Sequence, residues 1–495
     1  MLFTSLAFLI FFPLVTIAFF ACPQRYRWFL LLAASCYFYM AFIPAYILIL
    51  LVTITIDYFS GIYIESTQDP RRRRLLLLGS LSANLGVLVS FKYLAFIAGS
   101  FFELSLLAGF HSVAPDMSIL LPIGLSFHTF QSMSYTIEVY RGRQRAERHF
   151  GILALYVMFY PQLVAGPIER PGNLLRQFRE HHTFDYARVS NGLKLMAWGF
   201  FKKLVIADRL AIFVDKVYAS PHSEDSIALL MATLCFGFQI YCDFSGYTDI
   251  AIGAARVMGF SLMRNFESPY FARSTSDFWR RWHISLSSWF RDYVYFPLGG
   301  NRVSQWKHFR NILVVFALSG LWHGASWTFL LWGLLHASYM IAGALTKGFR
   351  DRLVTTVQLN RFPKLHAMIQ IAMTFTMVTV AWVFFRAATV SDSFFILSQL
   401  PWGALWIVQG LFTADMYRSI CFEMWSSPSD LLIALGFLAV VIVMVVESLQ
   451  RNPGGLLQWL SQKSFLFRWT MYYAVVFIIL TFGAFRESPF IYFQF

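Results

Sequence analysis

Apolar stretches close to the ~20 residues that cross a bilayer recur along the whole chain, with short basic segments between them. That alternation makes the membrane helix bundle the unit of organisation. Composition agrees: of 495 residues, 58% are hydrophobic and 13% are charged, against about 25% charged in a soluble domain. A soluble protein this apolar could not cover its surface, whereas lipid as solvent makes the composition sensible. The expected fold class is therefore an all-α polytopic membrane protein, one large membrane domain over 1–495. No internal repeat or low-complexity tract interrupts it.

The formal net charge of +14 could point to nucleic acid. The basic residues instead lie between apolar runs, the pattern that sets orientation in a membrane, so nucleic acid is excluded as a partner and membrane lipid is expected. The five cysteines, Cys22, Cys36, Cys235, Cys242 and Cys421, form no CxxC pair, and most have apolar neighbours. They read as packing residues, with no metal site. The first apolar run, 2–21, has no basic residue before it and reads as a retained transmembrane helix instead of a secretory signal.

The basic loops predict a topology. Residues 2–21 run inward to Arg25 and Arg27; 28–43 return outward, and 45–64 come back to Arg71, Arg72, Arg73 and Arg74, the firmest cytoplasmic marker. Residues 75–101 lead out to a loop at 103–116 without Lys or Arg, and 118–139 return to Arg141, Arg143, Arg145 and Arg148. The segment 151–164 is too short to cross and reads as re-entrant or interfacial, since irregular backbone at depth must be buried in protein or line a cavity. Between 192 and 218 apolar residues mix with Lys202, Lys203, Asp208, Arg209, Asp215 and Lys216; a polar crossing helix of this kind faces a bundle interior or a water-filled cavity. Residues 227–254 turn inward, a basic and aromatic stretch at 256–310 follows on the cytoplasmic face, and 311–330 and 331–346 form an outward and an inward crossing. Three further crossings are expected near 367–385, 431–446 and 469–485.

Several chemistries have no local support: there is no Walker A loop, no GxGxxG after a strand, no HExxH and no GxSxG. What remains is a set of histidines among aromatics. His323 lies in Gly320-Leu321-Trp322-His323-Gly324, about twelve residues beyond Asn311, hence about 18 Å along a helix and well into the hydrocarbon layer. Intramembrane ionisable residues are candidate functional sites, and a neutral imidazole can take a proton from a hydroxyl and return it. Gly320 and Gly324 could let a thin substrate approach the backbone. A packing histidine bonded to a neighbouring helix is the alternative. His336, thirteen positions on, cannot share the face of His323 on a continuous helix, but a hairpin would let the two approach; a structural role is the reading preferred for it. In the run 278–293, Phe278, Trp282 and Trp289 fall near one helical face beside Arg280, Arg281 and Arg291. This is either an interfacial helix with Trp and Arg at the headgroups, or a wall for an anionic donor whose phosphates the arginines grip.

At these residues the sequence resembles the membrane-bound O-acyltransferase (MBOAT) superfamily, in its bacterial polysaccharide O-acetylation branch. The resemblance is carried by Leu121-Pro122-Ile123-Gly124-Leu125-Ser126-Phe127, Pro161-Gln162-Leu163-Val164-Ala165-Gly166-Pro167-Ile168 and Asp243-Phe244-Ser245-Gly246-Tyr247. It continues through 278–292, Pro297-Leu298-Gly299-Gly300-Asn301-Arg302, Trp322-His323-Gly324 and the closing Phe490-Ile491-Tyr492-Phe493. It implies a bundle of about 11–13 transmembrane helices, each long enough to span, with re-entrant and interfacial helices around a central tunnel. The motif-bearing core would be roughly 118–346, with C-terminal helices in 366–486. The resemblance further implies that His323 is the family's essential histidine, that His283 stands where relatives carry a second functional histidine, and that Asn301 occupies a motif position. It implies acyltransferase activity in a multi-pass protein of the bacterial inner membrane, with acetyl-CoA as donor substrate and no bound cofactor. A periplasmic SGNH-like O-acetyltransferase partner would then modify an envelope polysaccharide such as alginate, or peptidoglycan. Arg280, Arg281, Arg291, Asn301 and His336 are the candidate donor-binding residues. A non-catalytic export channel or scaffold, and an acyltransferase for D-alanine or lipid, are the competing readings.

Overall fold

A computed structural model of the chain describes residues 1–109, 122–410, 428–450, 459–460, 462–485 and 490–491. Cys421, the beginning of the expected crossing at 118–139, the motif residue Leu121 and the closing Tyr492 and Phe493 lie outside the described residues. The described residues contain helices and no strand. In chain order the α-helices are α1 (Leu6–Ala21), α2 (Gln24–Met40), α3 (Ile47–Ser66), α4 (Pro70–Leu88), α5 (Leu94–Leu107), α6 (Leu125–Tyr140), α7 (Phe150–Met158) and α8 (Pro171–Gln177). They continue as α9 (Tyr186–Phe200), α10 (Asp208–Ala219), α11 (Ser226–Met258), α12 (Thr275–Arg281), α13 (Ile284–Phe290) and α14 (Gln305–His323). The last are α15 (Trp327–Leu345), α16 (Lys347–Thr356), α17 (Pro363–Arg386), α18 (Val390–Gly410), α19 (Pro428–Gln450) and α20 (Phe465–Phe482). Six helical segments among the described residues are long and apolar enough to cross a membrane, Pro44–Ser66, Pro70–Leu107, Ser226–Met258, Trp327–Leu345, Pro363–Arg386 and Phe465–Phe482. Shorter apolar helices cover Leu6–Ala21 and Leu438–Leu449. The protein is an all-helical, multi-pass membrane protein.

The sequence reading takes 1–495 as one domain; contacts group the chain into two units, one of Met1–Met196 with Tyr247–Arg264, the other of Ala197–Gly246 with Asn265–Ile491. In the first unit α3, α4 and α6 meet around a buried carboxylate. Ser80 Oγ (2.6 Å) and Asn84 Nδ2 (3.0 Å) donate to Asp57, and Thr136 Oγ1 joins them at 3.3 Å. An intramembrane acid is tolerated when its lone pairs are met by donors on neighbouring helices, and here it ties three of them together. The segment expected to be re-entrant or interfacial contains the nine-residue α7 and a non-helical continuation, and every residue from 151 to 165 is buried. Side chains meet part of its backbone: Gln162 Nε2 donates to the Tyr156 carbonyl at 2.9 Å, and Ser35 Oγ accepts from Tyr160 N at 3.0 Å. Irregular backbone buried in protein is what the sequence argument requires.

The polar stretch between 192 and 218, which belongs to the second unit from Ala197 on, is helical, with a π-helical turn, Phe201–Ala207, joining α9 to α10. Lys202, Lys203 and Asp208 are buried there, whereas Arg209 is half-buried and Asp215 and Lys216 are exposed, so only the first half of the stretch turns its charges inward. α14 packs along α15, α15 against α17, and the short α12 against both α15 and α17. Three expectations need correction. The apolar run from 311 to 346 was divided at 330/331, but the break falls at Gly324-Ala325-Ser326, where Ser326 Oγ caps α15 by accepting from Thr328 N. The run 278–293 is no single helix, because the chain turns at Trp282-His283 between α12 and α13. Finally, α18, with Pro401 inside it, had no counterpart in the sequence reading.

Candidate active site

The break between α14 and α15 places His323 at the end of a helix, at the corner of a hairpin. The hairpin is close-packed because of glycine: a Cβ on Gly320 would overlap the Phe329 carbonyl, and one on Gly333 would overlap the Phe316 carbonyl. Gly324 lies under the Phe329 ring in the same way. The space at Gly320 and Gly324, expected to admit substrate, is therefore filled by α15 itself, as in the small-residue contacts of membrane helices. The glycines bring helices together and leave the imidazole to face the site.

His323 is 2% exposed. Its ring lies 5.0 Å from Trp322, 5.0 Å from Trp332, 5.3 Å from Phe385 and 6.4 Å from His283, centroid to centroid. His283 is 1% exposed, sits in the turn between α12 and α13, and meets Phe244 edge-on at 4.6 Å. Burial pushes its imidazole down to about 3, so it is neutral across the physiological range. The two histidines come from elements forty residues apart and are brought to one aromatic chamber. Trp332 and Trp382 stack at 5.8 Å on its wall, and Trp282 lies 5.0 Å from Trp382. Ring nitrogens set among apolar aromatic walls can take up a proton and give it back away from bulk water.

His336 belongs to the next layer. It lies 5.0 Å from Trp332 on the side away from the helix break, and its Nδ1 accepts from Trp279 Nε1 at 3.3 Å. Trp332 packs against both His323 and His336, and the hydrogen bond from Trp279 orients the His336 ring. Arg280 is exposed on α12, while Arg281 pairs with Asp277 at 2.9 Å one turn earlier. Arg291 pairs with Asp292 at 3.0 Å and lies over the Phe296 ring. These arginines share the short elements that carry His283, with Phe278, Trp282 and Trp289 buried on the protein side instead of lying at headgroups. Asn301 is exposed on the turn before α14, at the opposite end of that helix from His323; the nineteen residues of α14 separate them by about 28 Å. The turn is held by Asn311, whose Nδ2 donates to the carbonyls of Leu298 and Gly300, both at 3.1 Å.

Sequence reasoning missed Phe244, Trp332, Trp382 and Phe385, the chamber walls. Each reads locally as an ordinary apolar residue of a membrane helix, and only the Asp243-Phe244-Ser245-Gly246-Tyr247 motif gave a signal for one of them. Asn265 was also missed. Its carbonyl accepts from Ile284 N (2.9 Å) and its Oδ1 from Ser285 N (3.3 Å).

Fold and site together define a polytopic membrane enzyme with a buried pair of histidines. The profile of the MBOAT, membrane-bound O-acyltransferase family matches residues 149–389, a stretch that holds both histidines and the aromatic walls. The chain is 38% identical over 392 residues to a protein named "Probable alginate O-acetylase" from Azotobacter vinelandii, covering 78% of this chain and 75% of that one. It is 38% identical over 390 residues to the protein of the same name from Pseudomonas aeruginosa, covering 78% and 72%. It is 36% identical over 397 residues to the "Peptidoglycan O-acetyltransferase" of Helicobacter pylori, covering 75% and 73%. The chain belongs to the membrane-bound O-acyltransferase family and is an acyltransferase.

Proposed function

We propose that this protein takes acetyl from acetyl-CoA at the cytoplasmic face of the bacterial inner membrane and passes it outward for O-acetylation of an envelope polymer. The acetyl group and the polymer class, an exported polysaccharide such as alginate or else peptidoglycan, follow the names of its relatives. A periplasmic SGNH-like O-acetyltransferase would complete the transfer to the polymer. The observation that carries the reading is the pair of buried imidazoles 6.4 Å apart within an aromatic chamber, a spacing that lets one small group reach both rings.

In the proposed step, an acceptor hydroxyl gives its proton to a nitrogen of His323 as its oxygen bonds to the thioester carbonyl carbon. The carbon–sulfur bond breaks, and the departing thiolate takes the proton back from His323. His283 orients the reacting group from the opposite side. Arg280, Arg281 and Arg291 lie near the donor's phosphates, where arginine forms charge-assisted hydrogen bonds. General base catalysis supplies about 10²–10⁴-fold, and positioning within the chamber supplies the rest of the acceleration. The test is transfer of labelled acetyl from acetyl-CoA by His323→Ala present in the membrane at wild-type level. A fall of at least about a hundredfold is expected, and wild-type transfer by that variant would remove His323 from the mechanism.

A further inference from the structure

His283 carries a backbone conformation that a side chain rarely adopts, φ 43° and ψ 54°, in the left-handed region. Non-glycine residues hold such a conformation only where their surroundings over-determine it, and such residues cluster at functional sites. The position is unusual in a second way. His283 precedes α13, where an N-cap residue would normally be extended and would accept an amide with its own side chain. It does neither, and no side chain of its own caps the helix. The first amides of α13 would be orphans in a buried place. They are met from elsewhere in the chain: Ile284 N donates to the Asn265 carbonyl at 2.9 Å, and Ser285 N donates to Asn265 Oδ1 at 3.3 Å.

We propose that Asn265 is a positioning residue for the acyl-transfer site: it caps α13 in place of His283 and thereby holds the His283 imidazole towards His323. This rests on the reading of His283 as part of the reacting chamber. Asn265 is itself fixed from behind. It is 1% exposed, and the neighbouring Phe266 packs at 5.0 Å against both Phe244 and Trp282. Phe244 in turn meets His283. The segment that supplies the cap is thus locked to the same aromatic wall that the histidine touches, so cap and imidazole are registered to one surface. The type of residue follows from the task. The side chain must present a carbonyl-type acceptor of fixed length to Ser285 N, and Asn265 Nδ2 makes no hydrogen bond among the described residues, so the acceptor oxygen is the part in use.

The experiment compares wild type with Asn265→Ala, Asn265→Asp and His283→Ala in native membranes. Acetyl transfer from labelled acetyl-CoA is one readout, and modification of His283 by diethyl pyrocarbonate, mapped by mass spectrometry, is the other. Asn265→Ala is expected to lower kcat about tenfold, the consequence of a lost cap, with KM for the donor within about twofold. It should also render His283 modifiable where the wild type protects it. Asn265→Asp keeps the acceptor and places a negative charge at a helix N-terminus, so it should stay within about threefold of wild type. In a His283→Ala background, Asn265→Ala should add nothing, because the two act as a unit. Wild-type kcat and protection in Asn265→Ala would overturn the proposal, as would Asn265→Asp as inactive as Asn265→Ala while His283 stays protected. If His283→Ala transfers acetyl normally but Asn265→Ala still unmasks His283, the clamp stands and the role given to His283 fails.

Discussion

At the scale of single residues, His323 was legible and its surroundings were not. An ionisable side chain in an apolar run stands out because its burial needs a reason. Trp332, Phe385 and Trp382 do not stand out, since aromatics on membrane helices are common and only the folded chain shows which of them face a histidine. Asn265 is hidden for another reason: its task is to cap a helix that starts nineteen positions later, and no local spacing encodes that. The burial of His283 has a consequence for pH. Its imidazole is held from an ordinary 6.5 down to about 3. Between these values the unfolded chain binds a proton that the native state does not, so stability rises with pH through this window and is lost as pH falls below 6.5. The loss is about 2 kcal/mol at pH 5 for one such group. Thermal midpoints of the purified protein in detergent should therefore fall between pH 7 and pH 5. His283→Gln should fall less steeply, and an identical slope in the variant would show that the imidazole is not held neutral.

At the scale of elements, hydropathy located the spans and failed at their breaks. The segments Pro44–Ser66, Ser226–Met258 and Pro363–Arg386 contain the crossings expected at 45–64, 227–254 and 367–385. The hairpin between α14 and α15 was misplaced because Gly324-Ala325-Ser326 is as compatible with an apolar helix as with a turn. α18 was overlooked because Pro401, with the serines and glutamine around it, interrupts the apolar run. What decides the hairpin is contact, and two glycines on α15 separate that cause from mere helix propensity. Gly333 faces α14, where a new Cβ would strike the Phe316 carbonyl and come to 3.3 Å from Gly320 Cα, whereas at Gly343 it would meet nothing within 4 Å. Gly333→Val must spread the helices and shift His323 at their corner, so a stability loss of about 1–3 kcal/mol is expected, with activity reduced still further. Gly343→Ala should leave transfer unchanged and raise stability by about 0.5–1 kcal/mol. Melting of the two variants by size-exclusion chromatography, with transfer assayed in parallel, checks both; equal behaviour would show that close packing does not set the hairpin.

At the scale of the whole molecule, membrane residence was legible because composition and loop charge are properties of the entire chain. How distant parts of the sequence are tied together was not, and in the second unit that tie is ionic. Lys203 Nζ lies 2.8 Å from Asp208 Oδ1 and 2.7 Å from Asp243 Oδ1, with all three side chains buried. Asp243 Oδ2 also accepts from the amide of Ile491 at 2.8 Å, and Ala484 N donates to the Leu204 carbonyl at 3.0 Å. One lysine therefore fixes the π-helical turn, α10, α11 and the last described residues of the chain around a common point. The sequence showed a polar helix there and an aspartate in a motif, but nothing that joined them to each other or to Ile491. Buried charges are costly to leave alone, and removing one partner costs more than removing a balanced pair. Lys203→Met leaves two carboxylates facing each other without a cation, so a loss of about 3–5 kcal/mol is expected, seen as a low yield of monodisperse protein. Lys203→Met with Asp243→Asn removes one charge of each sign and keeps an oxygen to accept from Ile491 N. The double variant should melt above the single one, although Asp243→Asn alone should melt below wild type. Additive losses across this cycle would mean that the charges stabilise the unit separately and that the junction is not the tie between its distant segments.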